Sequence, residues 1–205
     1  MSGSNQTWGM NTAERVMAVQ RSLIDPLCSG DFTGNVEPIR AVIRKHAEFL
    51  ERGGAEQNFS YKQIIPYVVL RHGAQYLLIK RLPKQGEKRL HHKFSLGVGG
   101  HINVFDRARG DILEAGMQRE KNEEIKIAQE GECRLIGVIN TDVAEVDRVH
   151  LGVVYVQTCL GPAFTNMEPQ AYEAEWKSPI EIAEKYPLLE SWSKIVFDHL
   201  VKPKL

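Results

Sequence analysis

Gly99-Gly100, Gly110-Asp111 and Arg119-Glu120-Lys121-Asn122-Glu123-Glu124-Ile125-Lys126-Ile127 form the stretch whose reading decides the fold. The run from Asp111 to Ile127 holds no proline and no β-branched cluster until its end, so it predicts a helix entered through the flexible Gly110. Asp111 suits the positive N-terminal end of that helix. Glu120, Glu123 and Glu124 stand at i, i+3 and i+4, which places three carboxylates on one helical face. Like charges held that close either keep protons above their free pKa or are neutralised by a bound cation. Hard oxygen donors select Mg²⁺, Mn²⁺ or Ca²⁺ over softer metals. Arg119 lies eight residues after Asp111, two helical turns along, where that carboxylate could hold its guanidinium.

This arrangement resembles the Nudix box, whose family form is Gly, five residues, Glu, seven residues, Arg-Glu, an aliphatic, any residue, Glu-Glu, any residue, Gly, an aliphatic. Gly100, Asp111, Arg119, Glu120, Glu123, Glu124 and Ile127 fill it in order, without a gap from Asp111 onward. The chain departs from the form in four places. Ten residues separate Gly100 from the acid, the acid is Asp111, and Lys121 and Lys126 replace an aliphatic and a glycine. The insertion, Val104 to Arg109, is expected to bulge from a loop, where added length costs little free energy. The wider context Lys93 to Asn103 looks like the subgroup described as predicted Nudix phosphoesterases. A solvated acidic helix face would also supply three glutamates, but it has no reason to place the Gly-Gly, Gly-Asp, Arg-Glu and Glu-Glu elements in order.

The resemblance implies an α/β (α+β) Nudix fold, a mixed sheet between helices, and divalent-metal-dependent cleavage of a nucleoside diphosphate linked to another moiety. It implies metal contacts from Glu120, Glu123, Glu124 and the Gly99 carbonyl, with Mg²⁺ or Mn²⁺ as the cofactor and Arg119 orienting the metal face. Glu120 is either a third ligand or the base that activates water. In this family the base can also come from a late loop; Glu168, Glu173 and Glu175 lie there, and Glu175 beside Trp176 is the favoured choice. Isopentenyl diphosphate isomerases share the fold and use a cysteine near the diphosphate, but no cysteine lies in the strand just before the box here. A nucleotide-binding module without turnover is the other alternative; the retained carboxylates argue against it.

Lys80, Arg81, Lys84, Lys88, Arg89 and Lys93 face the single acid Glu87 in the stretch before the box. A basic arm beside a carboxylate site suits a substrate with several phosphates, and Arg81, Arg89 and Lys93 are the candidate binders. A solvated hairpin explains the lysines equally well. His101, next to the double glycine, could touch phosphate or simply bond to backbone. Tyr61, Tyr67, Phe94 and Tyr172 could stack on a base, although aromatic residues in strands more often fill the core.

At 205 residues, 42% hydrophobic and 25% charged, the chain fits one globular domain. Lys+Arg and Asp+Glu are both 26, so net charge supports neither nucleic-acid nor membrane attachment. Cys28, Cys133 and Cys159 show no paired spacing and suit a reducing, cytoplasmic setting. Residues 1–12 are expected to be a flexible terminus. Residues 13–205 are expected to be one domain, with 13–58 an N-terminal strand-helix elaboration and 59–205 the core. Arg15–Ser22 reads as a strand, Pro38–Arg52 as a helix stopped by Gly53-Gly54, and Ile64–Arg71 with Gln75–Leu82 as a hairpin. Arg134–Thr141 and His150–Thr158 read as further strands and Gly161–Tyr172 as a loop. Ser178-Pro179-Ile180-Glu181 is a capping box opening a short helix, and a last helix carries Trp192 to Leu200. The resemblance implies a small phosphorylated molecule as substrate and admits a homodimer.

Overall fold

The computed structural model describes residues 14–82 and 93–204. The expected flexible terminus, and Arg89 with Lys84, Glu87 and Lys88, lie outside the described residues. In chain order the elements are β1 (Arg15–Gln20), α1 (Arg21–Ile24), β2 (Phe32–Thr33), α2 (Glu37–His46), β3 (Glu48–Glu51), α3 (Arg52–Ala55), β4 (Tyr61–His72), β5 (Gln75–Arg81) and β6 (Phe94–Ser95). A 3-10 helix at Val104–Arg109 precedes α4 (Ile112–Glu124) and β7 (Ile125–Ile127). Then come β8 (Glu130–Ile139), β9 (His150–Cys159), β10 (Phe164–Asn166), β11 (Tyr172–Lys177), α5 (Pro179–Glu184) and α6 (Ser191–Val196).

The main sheet runs β11-β5-β4-β9-β8-β2, with β1 joining the edge of β4 and β3 joining β1. It is mixed. β4 and β9 run parallel from Gln63–His150 to Arg71–Thr158, and the other described pairings are antiparallel. Both faces of the sheet are covered, which is why β4 is an unbroken buried run rather than an alternating one. Ile64, Val68 and Leu70 pack with Ile39 and Ile43 of α2 and Leu113 and Met117 of α4. Tyr67 and Val69 point the other way, toward Ile182 of α5 and Val196 of α6. Along the edge of β4, between β1 and β5, the segment through Gly97–Gly100 is laid down by two backbone bonds between Val68 and Val98, at 2.7 and 3.0 Å. The Gly99-Gly100 pair is therefore fixed close to the centre of the sheet.

The mixed sheet between helices, the His72-Gly73 hairpin, the strands of β8 and β9 and the capping box of α5 match the sequence reading. Four expectations are corrected. The helix foreseen to Arg52 stops at His46, and Glu48–Glu51 pairs with β1, Phe49 opposite Met17. The apolar spacing of Phe49 and Leu50 serves a buried strand as well as a helix, and pairing with β1 decides the matter. The Gly53-Gly54 pair then falls inside the short α3. The box helix ends at Glu124, because Ile125–Ile127 is drawn into a two-stranded sheet with β10. The foreseen loop after Gly161 contains that partner strand. Among the described residues no helix is long and apolar enough to cross a membrane, and the three cysteines are free thiols.

Candidate functional site

The box helix starts where the sequence says it should. Asp111 is its N-cap, accepting from the backbone N–H of Leu113 at 3.1 Å and Glu114 at 3.4 Å. Its pairing differs from expectation: Asp111 bonds Arg40 and Arg44 of α2, not Arg119. Two helical turns along an α-helix span about 11 Å, and that separation exceeds what the short aspartate side chain can bridge.

Arg119 is instead held by Asp106, which is buried. Nε reaches Asp106 Oδ1 at 2.9 Å and Nη2 reaches Oδ2 at 3.0 Å, a bidentate fork. Nη1 donates to Glu120 at 2.7 Å and Glu123 at 3.1 Å, and Nη2 also donates to the His101 carbonyl at 2.8 Å. All five guanidinium donors are thereby used. Asp106 belongs to the segment expected to bulge as a loop. That segment is a 3-10 helix closed by a capping box, in which Asp106 accepts from the Asn103 N–H. Asp106 follows Gly100 after five residues, the family spacing, and the added length falls between Asp106 and Arg119. The spacing was available in the sequence; the unbroken seven-residue interval from Asp111 to Arg119 concealed it.

Around this fork the three carboxylates differ in environment. Glu123 is 57% exposed and Glu120 14%. Burial raises the Glu120 pKa against the opposing pull of Arg119. Burial pushes Glu124 up to about 7, opposed by the Arg81 charge and the Gly99 N–H and assisted by Glu120 and Glu168. The double glycine forms a cradle for these groups. A Cβ on Gly99 would stand 1.8 Å from the Pro66 carbonyl oxygen, where backbone leaves no room for it, and one on Gly100 would stand 2.3 Å from Glu120 Oε2 and displace that carboxylate. Among the described residues no three His, Cys, Asp or Glu side chains are already gathered in metal-holding geometry. Glu120 and Glu123 are turned onto Arg119. Lys121, where the family form has an aliphatic, is fully buried and reaches Glu130.

The segment after β9 is tied to the end of the box helix. Asn166 pairs with Ile125, and the Met167 N–H donates to the Glu124 carbonyl at 2.9 Å. Asn166 accepts from the Glu168 N–H at 3.0 Å and donates to the Tyr172 carbonyl at 2.7 Å, closing a compact turn. Glu168 and Tyr172 are brought beside Glu124 in this way: the Glu168 charge helps to raise Glu124, and both carboxylates help to raise Tyr172. Glu175 is not. Successive strand residues alternate faces, so Tyr172, Ala174 and Trp176 share the inner face while Glu173 and Glu175 point to the other side. Glu175 is 67% exposed and paired with Lys177 at 2.9 Å. Of the late acids expected to reach the site, Glu168 and not the favoured Glu175 lies beside Glu124.

Among the basic candidates, Arg81 lies opposite Tyr172 across the β5–β11 pair. It bridges Glu190 and the field of Glu124; burial works against its charge, and the two carboxylates outweigh it. Lys93 is half-buried, with its carbonyl bonded to the Arg81 N–H. Arg89 is outside the described residues. His101 offers the site its carbonyl rather than its ring. The imidazole turns to His150, Nε2 to Nε2 at 3.3 Å, and burial, with Arg52 and His150 nearby, pushes its pKa down to about 3. Tyr67 is a core residue, bonded to Ser95 and Ser193.

No family model matches the chain. Protein YmaB of Bacillus subtilis (strain 168) is 35% identical over 172 residues, 80% of this chain and 84% of that protein. The crystal structure of Tm1382, described under the Nudix hydrolase heading, superposes with a TM-score of 0.80 at 30% identity, covering 93% of this chain and 100% of that one. The Nudix domain of Shewanella oneidensis NrtR, solved with ADP ribose, gives a TM-score of 0.55 at 12% identity over 70% of this chain and 89% of that one, a likeness of fold alone. With 30% identity to Tm1382 and the same fold over 93% of its length, the chain belongs to the Nudix hydrolase superfamily.

Proposed function

We propose that the protein hydrolyses a phosphoanhydride bond in a small phosphorylated metabolite, a nucleoside diphosphate linked to a second group, and that it requires a divalent cation. The observation that carries the reading is the setting of Glu120 against Gly100 and of Glu124 on the Gly99 N–H, with Arg119, locked in place by the buried Asp106, holding Glu120 and Glu123. The donor set fits a hard cation: three carboxylates and a backbone oxygen, with no thiolate among them. Glu120, Glu123, Glu124 and the Gly99 carbonyl would hold Mg²⁺ or Mn²⁺, which when bound neutralises phosphate charge and makes water a better nucleophile.

The chain's own residues divide the remaining work. Arg119 orients Glu120 and Glu123 from one end of its fork. Arg81, paired with Glu190 and within the field of Glu124, is the candidate to meet phosphate oxygens, with Lys93 beside it. Glu168, presented by the turn at the end of the box helix, is the candidate to accept a proton from the attacking water, with Glu120 the other. Neither role needs the Glu175 side chain.

The test is product analysis by mass on a panel of ADP-ribose and other nucleotide sugars, dinucleoside polyphosphates, dinucleotide cofactors and nucleoside triphosphates. Wild type and Glu123→Gln are run side by side with Mg²⁺ or Mn²⁺. Turnover lost in the variant is the expected result. Turnover unchanged in Glu123→Gln, or nucleotide binding without any release of phosphate or monophosphate, refutes it; the second result points to a binding module.

A further inference from the structure

The turn that closes on the box helix delivers a group that the hydrolase reading leaves unused. The Tyr172 side chain is 2% exposed, and its hydroxyl finds no hydrogen-bond partner among the described residues. A buried hydroxyl without a partner is costly enough that nearly all such groups in folded proteins are satisfied. Its surroundings are not apolar. Glu124 and Glu168 stand close enough to raise its pKa, although burial is the larger cause, and Arg81 opposes them. The phenol hydroxyl is therefore a donor without a partner, held beside two carboxylates.

Its placement is rigid. Tyr172 begins β11 in register with Arg81, its carbonyl is bonded to Asn166, and its N–H reaches the Glu168 carbonyl at 3.3 Å. The same turn is pinned to the last residues of the box helix through Met167 and Asn166. Hydroxyl and Glu124 carboxylate are thus held on two elements that cannot drift apart independently. The Glu124 carboxylate meets the Gly99 N–H on one side, which leaves it able to accept from a second donor.

We propose that Tyr172 is a positioning residue for the cation-binding face: its hydroxyl donates to the Glu124 carboxylate and fixes which oxygen is turned toward the cation. This rests on the hydrolase reading only through Glu124 as a cation ligand. The group is not a stacking platform, since its ring is packed in the core with Ile79 and Ala174.

The test is Mn²⁺ binding to the full-length protein without substrate, measured by titration calorimetry on wild type, Tyr172→Phe and Glu124→Gln, with thermal melts of each. Tyr172→Phe keeps the ring and removes only the hydroxyl. A hydrogen bond to a charged acceptor is among the stronger ones, and its loss is expected to weaken Mn²⁺ binding about tenfold, with a melting temperature no lower than wild type. A purely structural tyrosine would do the reverse: unchanged Mn²⁺ affinity with or without a lowered melt, which overturns the proposal. Unchanged Mn²⁺ affinity with a raised KM for substrate also overturns it, and assigns the hydroxyl to a phosphate oxygen instead. If Glu124→Gln binds Mn²⁺ as wild type does, the cation reading itself fails, and the two failures are told apart.

Discussion

Replacing Asp106 by alanine should cost the protein far more than replacing Asp111, although both lie near the start of the same helix. Asp106 is 1% exposed on its side chain and makes both arms of a fork to Arg119, itself only 18% exposed. Removing one partner of a buried ion pair typically costs about 3–5 kcal/mol, because the other charge is left uncompensated. Arg119 retains Glu120, Glu123 and the His101 carbonyl, which argues for the lower end, about 3 kcal/mol. Loss of the Asn103 cap adds about 1 kcal/mol. In a chain of this size each kcal/mol moves the melting temperature by about 2–4 °C, so Asp106→Ala should melt roughly 10 °C below wild type. Asp111→Ala loses an N-cap, about 1 kcal/mol, and ion pairs that are largely solvent-screened. Urea denaturation followed by circular dichroism, with thermal melts alongside, measures both. Equal losses, or a larger loss in Asp111→Ala, would show that Arg119 does not depend on Asp106 and would refute the assignment.

Four further outcomes follow from the same geometry. Glu123→Gln should melt within about 2 °C of wild type, because it removes one charge of a repelling set at an exposed position, while abolishing cation-dependent turnover; melts and product assays check both halves. Gly100→Ala should reduce turnover at least tenfold, since its Cβ would overlap Glu120, and kcat/KM against Mg²⁺ concentration reads it. Lys121→Met should be neutral or stabilising, because it exchanges a buried charge for an apolar chain while Glu130 remains partly open to water; a loss above about 2 kcal/mol by urea denaturation would contradict this. Asp111 gives the pH test. Burial pushes its pKa up, but Arg44, the Glu114 N–H and Arg40 win and hold it below the usual carboxylate range. A folded-state pKa below the unfolded value of about 3.9 means the stabilisation is full above pH 4 and is lost as pH falls through the folded value. Wild type should therefore lose its stability advantage over Asp111→Asn as pH falls below about 4, and an advantage independent of pH would refute it.

Much of the site was legible because it is local. Glu120, Glu123 and Glu124 are separated by helical intervals, and a helix converts those intervals into one face without help from the rest of the chain. The glycine pair and the hairpin around Gly73 were readable for the same reason. What the sequence concealed depends on contacts between distant segments. Phe49 became a strand residue because Met17 lies opposite it. Ile125–Ile127 left the helix because Phe164–Asn166 offered a ladder. Glu168 and Glu175 are indistinguishable as letters, and only the turn pinned to Glu124 and the alternation of β11 separate them. The partner of Arg119 was misread for a different reason: two acids five residues apart each satisfied half of the family spacing, and burial, invisible in the letters, chose Asp106.

The stretch between Asp106 and Asp111 therefore has an unusual freedom. Each acid is anchored to a different partner, one to the box helix and one to α2, and Gly110 between them is exposed with open space around it. Length added there leaves both anchors intact, as the chain's own five extra residues illustrate. It is a natural place to splice in a reporter peptide or to open new chain ends by circular permutation, a few residues from the chemistry yet mechanically isolated from it.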